Sequence, residues 1–451
     1  MSGLPEGWVK ADLGAVATVT SGIGFPNEHQ GQISGDLPFV KVGDVSAAVL
    51  EHGGRLNTAN HYVSREVAAL LKGQPVRPGA TVFAKIGEAI RLNRRAYVVN
   101  ECLIDNNVMA VTATDERSDR YVHYFLRTVQ FADVLRATTV PSLRKGDVES
   151  LAIPLAPLPE QKRIADKLDS VLARVDACRD RLDRIPALLK RFRQSVLVAA
   201  TSGRLTEDWR AVNVMPPWRA SDIQSVAQVA TGSTPLRSNS TFYAETGTPW
   251  ITSAATSQPV VIAAEQFVTD EAVAAHRLKV FPVGTLLVAM YGEGKTRGQV
   301  TELGLPATIN QACAAVVVDE HMALRGYVKL VLQANYMQMR ELAEGGNQPN
   351  LNLSKVKEFP LLLPPLAEQH EIVRRVETLF AFADRLEARC AAARKQAGQL
   401  TPALLAKAFR GELVPQDPAD EPAAELLKRL AARRADAPKA WRGKARASTG
   451  V

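Results

Sequence analysis

The chain has 451 residues, 46% hydrophobic and 23% charged, a length that points to about three folded units and a composition too apolar for a disordered chain. No apolar run approaches the roughly 18 residues of a membrane span, and residues 1–6 lack the charged and apolar parts of a secretion signal, so a cytoplasmic protein is expected. Of the net charge of +8, residues 428–451 carry +7, so the basic balance reports a tail and is weak evidence for nucleic-acid binding.

In chain order, residues 1–152 mix strand and helix signals. Thr81, Val82, Phe83 and Ala84 open a buried strand over 81–86, and 121–135 reads as an amphipathic helix. Lys85, Arg91, Asn93, Arg94 and Arg95 follow the strand, and Arg144 and Lys145 close the unit. Residues 153–205 then form a long helix. Ile164, Leu168, Val171, Val175, Cys178, Leu182, Ile185, Leu189, Phe192 and Val196 alternate steps of four and three, the seam of a coiled coil, until Gly203 stops it. At 1.5 Å per residue it would span about 65 Å.

After a linker at 206–217, residues 218–358 repeat the first pattern, with a strand over 285–290 and a helix over 327–342. Their loops offer Tyr291, Lys295, Arg297 and Gln299, then Asn347 and Asn350. These side chains suit phosphates and base edges. Residues 359–413 form a second long helix with the seam Ile372, Val376, Leu379, Ala383, Leu386, Cys390, Ala393, Ala397, Leu400 and Leu404, stopping at Gly411. Pro186 and Pro402 should each kink or restart their helix. Residues 414–451 hold a short helix near 425–433 and a basic, disordered tail.

The duplication is the strongest signal in the sequence. Leu158, Glu160 and Gln161 return as Leu366, Glu368 and Gln369, displaced by 208 positions; Trp8, Asp12 and Gly22 return as Trp218, Asp222 and Gly232, displaced by 210. The expected fold is therefore α+β: two globular α/β domains in tandem, each followed by a long helix. The two helices pair as an antiparallel coiled coil, an arrangement favoured over each helix packing on its own head because the seams are narrow.

Enzyme signatures are weak. Gly292, Gly294, Lys295 and Thr296 form half a phosphate-binding loop, with Ala289 where a P-loop NTPase needs glycine. No Asn-Pro-Pro-aromatic or Asp-Pro-Pro-aromatic string supports a stand-alone methyltransferase, and the seven histidines are scattered. Cys102, Cys178, Cys313 and Cys390 make no CxxC pair, so they read as reduced, mostly buried thiols. A coiled-coil scaffold carrying two heads is the remaining alternative to a DNA reader.

The paired Pro-Leu-x-Glu-Gln helix starts, the string Pro349, Asn350, Leu351, Asn352, Leu353, Ser354, and the closing segment 402–413 resemble the DNA specificity subunits of type I restriction–modification systems. Gly232, Ser233, Thr234, Pro235 and Trp250 also look like family loops. The similarity runs from Trp8 to about Leu430, with the first repeat a looser copy. It implies a non-catalytic chain whose two target-recognition domains each read half of a bipartite, asymmetric site on double-stranded DNA. The helices would set the spacer and dock two methyltransferase subunits, Glu160, Gln161, Glu368 and Gln369 being the candidate docking residues. It further implies restriction/translocase subunits. S-adenosylmethionine, ATP and Mg would be bound by those partners, and no cofactor or metal by this chain.

Overall fold

The computed structural model describes residues 3–134, 141–291, 296–339 and 351–436. The chain divides into two compact units that are not contiguous in sequence. One comprises residues up to Arg181 with those from Ala393 onward, and the other runs from Leu182 to Ala392. Both division points fall inside the long helices, Leu158–Thr201 and Leu366–Phe409. Each unit thus holds one head and a segment of each helix.

In the first head a five-stranded sheet has the spatial order Ala17–Ser21, Val108–Ala113, Thr81–Ala84, Ala96–Val98, Arg55–Leu56. Successive side chains on a strand point to opposite faces, and both faces here are apolar. Phe83, Met109 and Val111 join the core under the helix Asp119–Thr128. Val82, Val108 and Ala110 join a second core with Val45 and Ala48 of the helix Val42–Glu51. The second head repeats the order with Ala227–Thr231, Cys313–Val318, Leu286–Ala289, Val300–Leu303 and Val260–Val261. Val288 and Val316 face one core, and Leu287 and Ala315 the other.

A glycine is forced at the same place in each head. A Cβ on Gly22 would lie 1.9 Å from the Asp105 carbonyl oxygen, and one on Gly232 would lie 1.7 Å from that of Ile309. The strand must leave the sheet against backbone there, so no side chain fits.

The expected helix at 121–135 is shorter, ending at Thr128, while that at 327–342 pauses at Asn335 and resumes over 336–339, its last residues lying outside the described ones. The first stops because the carbonyl oxygen of Val129 accepts from Asn93 Nδ2 at 3.2 Å and Arg95 Nη2 at 2.7 Å, while Phe131 N donates to Asn93 Oδ1 at 3.3 Å. Side chains from the loop before the strand Ala96–Val98 take over the helix's last turn.

Each long helix is unbroken through its proline, against the expected restart. A proline costs about 3 kcal/mol in a helix interior, which flanking turns held on both sides can absorb. Gly203 and Gly411 end the helices with φ of +81° and +74°, as the sequence predicted.

The antiparallel pairing is visible within each unit. Ile164, Leu168 and Leu172 share a core with Leu405, Ala408 and Phe409, and Arg179 Nη2 donates to the Ala397 carbonyl at 2.8 Å. Val196, Leu197 and Ala200 share a core with Ile372 and Val376, and Arg193 Nη2 lies 2.6 Å from Asp384 Oδ1. The same cores hold Trp8 and Tyr121, or Tyr327 and Phe359, so each helix packs on its partner and on its own head together. The seam thins toward the middle: Cys178 and Leu400 are exposed, and the buried position is Leu405 in place of Leu404. Cys102 and Cys313 are the buried thiols, pushed up to about 12 by desolvation. Cys390 is half-buried, so only two of the four follow the expectation.

The short helix after the second long one spans Ala423–Asp436 and inserts Ala423, Leu426 and Leu430 into the first unit's core. The tail beyond it lies outside the described residues. Among the described residues no helix is long and apolar enough to cross a membrane.

His123 should make the first unit acid-sensitive. It is buried, its Nδ1 lies 3.1 Å from Thr81 Oγ1, and burial with the charges of Arg127 and Arg95 lowers its pKa to about 3. A histidine held neutral by folding contributes fully above its unfolded pKa of about 6.5 and loses that contribution as pH falls toward 3. Denaturant titrations from pH 7 to 4 should therefore show the first unit weakening, and His123→Gln should flatten that slope. An unchanged slope in the variant would refute the assignment. The second head carries Lys329 at this place, paired with Glu302 at 3.1 Å.

Candidate nucleic-acid interface

Three chain segments meet at one end of each five-stranded sheet. In the first head Ser21 lies opposite Met109, and Ala84 opposite Val108. The loop after Gly22, the turn at Asn106 and Asn107, and the segment after Ala84 therefore emerge together. Lys85 N donates to the Asn107 carbonyl at 2.9 Å, Leu143 N to the Lys85 carbonyl at 2.9 Å, and Gly87 N to the Pro141 carbonyl at 2.8 Å. These bonds bring Lys85 beside the segment carrying Arg144 and Lys145, which are far apart in sequence. In the second head Met290 N donates to the Ala312 carbonyl at 2.8 Å and Leu351 N to the Met290 carbonyl at 3.2 Å. The same bonds place Tyr291, Gln311 and Asn352 at the corresponding end.

Among the candidates, Arg91 and Arg144 are exposed, Lys85 and Arg94 half-buried, and Tyr291 is at the surface. Arg91 sits 3.2 Å from Glu88 and Lys145 3.6 Å from Glu149. Surface pairs of this kind are worth about 1 kcal/mol or less, so both cations are available to exchange for phosphate. Arg297 and Gln299 are half-buried. Gln299 lines an open groove of about 650 Å³ with Lys190, Gln333 and Tyr336. Lys295, Asn347 and Asn350 lie outside the described residues, as does the Gly292–Lys295 part of the phosphate-loop-like string.

Arg95 is a correction. It is 5% exposed, donates to the carbonyls of Asn93 and Val129, and stacks 4.1 Å from the Phe131 ring centroid. Burial and the nearby Arg127 lower its pKa to about 9. It caps the end of a helix, and its guanidinium is taken up inside the head.

The four docking candidates are a second correction. Glu160, Gln161, Glu368 and Gln369 are fully buried. Trp8 Nε1 donates to Glu160 Oε2 at 2.9 Å, and Trp218 Nε1 to Glu368 Oε2 at 2.8 Å. Gln161 Nε2 donates to the Ala156 carbonyl at 2.9 Å, and Gln369 Nε2 to that of Pro364 at 2.8 Å. Each glutamate therefore latches its long helix onto the tryptophan that precedes the first strand of its own head, Val9–Asp12 or Arg219–Asp222, while each glutamine ties the helix start to its own lead-in. The latches differ, because Glu368 Oε1 also accepts from Thr206 Oγ1 at 2.7 Å and Arg210 Nη1 at 2.5 Å, while Glu160 Oε1 is buried without a hydrogen-bond partner among the described residues.

Sequence reasoning marked the loop after Gly232 but missed the cation that stands over aromatic rings in each head. In the second head Arg237 lies over Tyr243 and Trp250, beside the Thr234 to Gln311 hydrogen bond. In the first, Lys41 lies over Phe25 and its Nζ donates to Gln30 Oε1 at 2.6 Å. The repeated glycine marked both loops, but no local spacing ties Arg237 to an aromatic thirteen positions away.

A family model described as "Type I restriction modification DNA specificity domain" matches residues 5–187 and 215–392. The specificity subunit of the type I restriction enzyme EcoDI from Escherichia coli is 29% identical, over 96% of this chain and 96% of its own length. That of EcoKI from Escherichia coli strain K12 is 26% identical with the same coverage. The crystal structure of the HsdS subunit from Thermoanaerobacter tengcongensis is similar in fold, with a TM-score of 0.63 at 20% identity. The match covers 91% of this chain and 98% of that one.

Proposed function

The chain belongs to the type I restriction–modification DNA specificity family, and from that premise we propose how it works. It is the sequence-reading subunit, and each head reads one half of a bipartite, asymmetric duplex site with the loops gathered at its sheet end. The observation that carries this is the duplication in three dimensions. Two heads share one strand order, yet their corresponding loops differ in charge and aromatic content. A duplicated reader with unlike loops fits a split site with unlike halves.

The long helices set the spacer and dock the methyltransferase partners, two copies in keeping with the duplication. Leu188, Phe382 and Leu400 on these helices are exposed by 57%, 50% and 46%, and they replace the buried Glu-Gln pairs as docking candidates. Restriction/translocase subunits complete the complex, which acts in the cytoplasm. This chain performs no catalysis. S-adenosylmethionine, ATP and Mg belong to the partners.

The test is to map methylated bases in DNA from cells holding this chain with its methyltransferase partner. One motif of two short defined blocks around an undefined spacer is expected. Exchanging residues 218–358 for those of another family member should rewrite one block and leave the other. A continuous motif, or both blocks changing together, would overturn the reading.

A further inference from the structure

The loop after Gly232 is pinned on several sides. Ser233 N donates to the Ile309 carbonyl at 3.1 Å, Trp250 Nε1 to the Ser233 carbonyl at 3.1 Å, and Tyr243 Oη to the Pro235 carbonyl at 2.7 Å. Thr231 Oγ1 donates to the Cys313 carbonyl at 2.9 Å just before it. Out of this rigid frame stands Arg237, exposed, its guanidinium carbon 5.5 Å from the Trp250 ring centroid and 5.8 Å from that of Tyr243. The two rings are inclined at 75° to each other, so they limit the directions the guanidinium can take. Among the described residues Arg237 makes no ion pair. Beside it Thr234 Oγ1 occupies Gln311 Oε1, so the exposed Gln311 offers its amide hydrogens.

We propose that Arg237 is a specificity-determining residue of the second head, reading a guanine edge in the half-site that this head recognises. The proposal rests on the functional reading above and adds a residue and a base to it. A guanidinium presents a planar fork that matches guanine O6 and N7 in the major groove. Phosphate binding needs only a charge within reach and tolerates a mobile side chain. A cation held in direction by two rings on a fixed loop suits readout of one edge. The first head has Asn27 at the corresponding place, and its cation Lys41 is tied to Gln30. The two halves of the site should therefore differ here.

The experiment uses the full chain in complex with its methyltransferase partner, as wild type, Arg237→Lys and Arg237→Ala. Two readouts are taken: the methylated motif in cellular DNA, and affinity for duplexes substituted one base pair at a time. Both variants should keep the first block and the spacer. Discrimination at one G·C position of the second block should fall roughly 10- to 100-fold. Lysine should not rescue it, because it keeps the charge and lacks the fork. Weakening that is equal on all sequences and rescued by lysine would identify a phosphate contact and overturn the proposal, as would unchanged letters in the second block. A wild-type complex without a two-part motif would reject the functional reading, and the proposal with it.

Discussion

Glu368→Ala should destabilise the second unit by about 3 kcal/mol, and Glu160→Ala the first by about 1–2 kcal/mol. Glu368 is wholly buried and accepts from Trp218, Thr206 and Arg210, so its loss strands three donors, one of them a cation. Arg210 keeps partial access to water, which holds the cost at the low end for a broken buried pair. Among the described residues Glu160 accepts from Trp8 alone, and burial raises its pKa above the usual carboxylate value. A carboxyl whose folded pKa is raised contributes its stability below the unfolded value and loses it as pH rises through the folded one. At neutral pH Glu160→Gln should accordingly be neutral or stabilising, since an amide still accepts from Trp8 without a charge. Urea denaturation, with hydrogen exchange to assign each transition to its unit, would measure all three variants. A larger loss for Glu160→Ala than for Glu368→Ala would contradict the asymmetry of the latches.

Lengthening both long helices together should move the half-sites apart. The chain passes between its two units after Arg181 and after Ala392, so those are the matched positions for inserting four residues. Each insert adds about 6 Å and about 40° beyond a full turn. At about 3.4 Å per base pair, the spacer should grow by one or two base pairs. The letters of both blocks should stay unchanged, because no base-reading loop is touched. Activity on the original spacer should fall by orders of magnitude. Insertion into one helix alone should unfold the pairing, because the partner keeps its length while the seams Ile164–Leu168 with Leu405–Phe409 and Val196–Ala200 with Ile372–Val376 must both hold. Methylation mapping reads the result. Full activity on the old spacer, or new letters in either block, would mean that the helices do not set the distance.

Much of this protein is determined by sequence alone. Apolar spacing along one helix is local information, so the seams, the stops at Gly203 and Gly411 and the helix after Pro422 follow from periodicity and backbone preference. The duplication is equally direct, and it carried the two-headed plan and the equivalence of Gly22 with Gly232. What only the tertiary structure decided is which polar side chains face water. Glu160 and Glu368, in the first turns of amphipathic helices, have the pattern of solvated docking residues. They are buried because Trp8 and Trp218, about 150 positions away, close over them. Arg95 has the spacing of a DNA contact and becomes a helix cap because the loop entering the strand Ala96–Val98 delivers it to Val129. Arg237 has no pattern at all until the sheet folds Tyr243 and Trp250 beneath it. A side chain's partners across a sheet are set by strand order and register, which depend on contacts far apart in the chain and leave no periodicity to read.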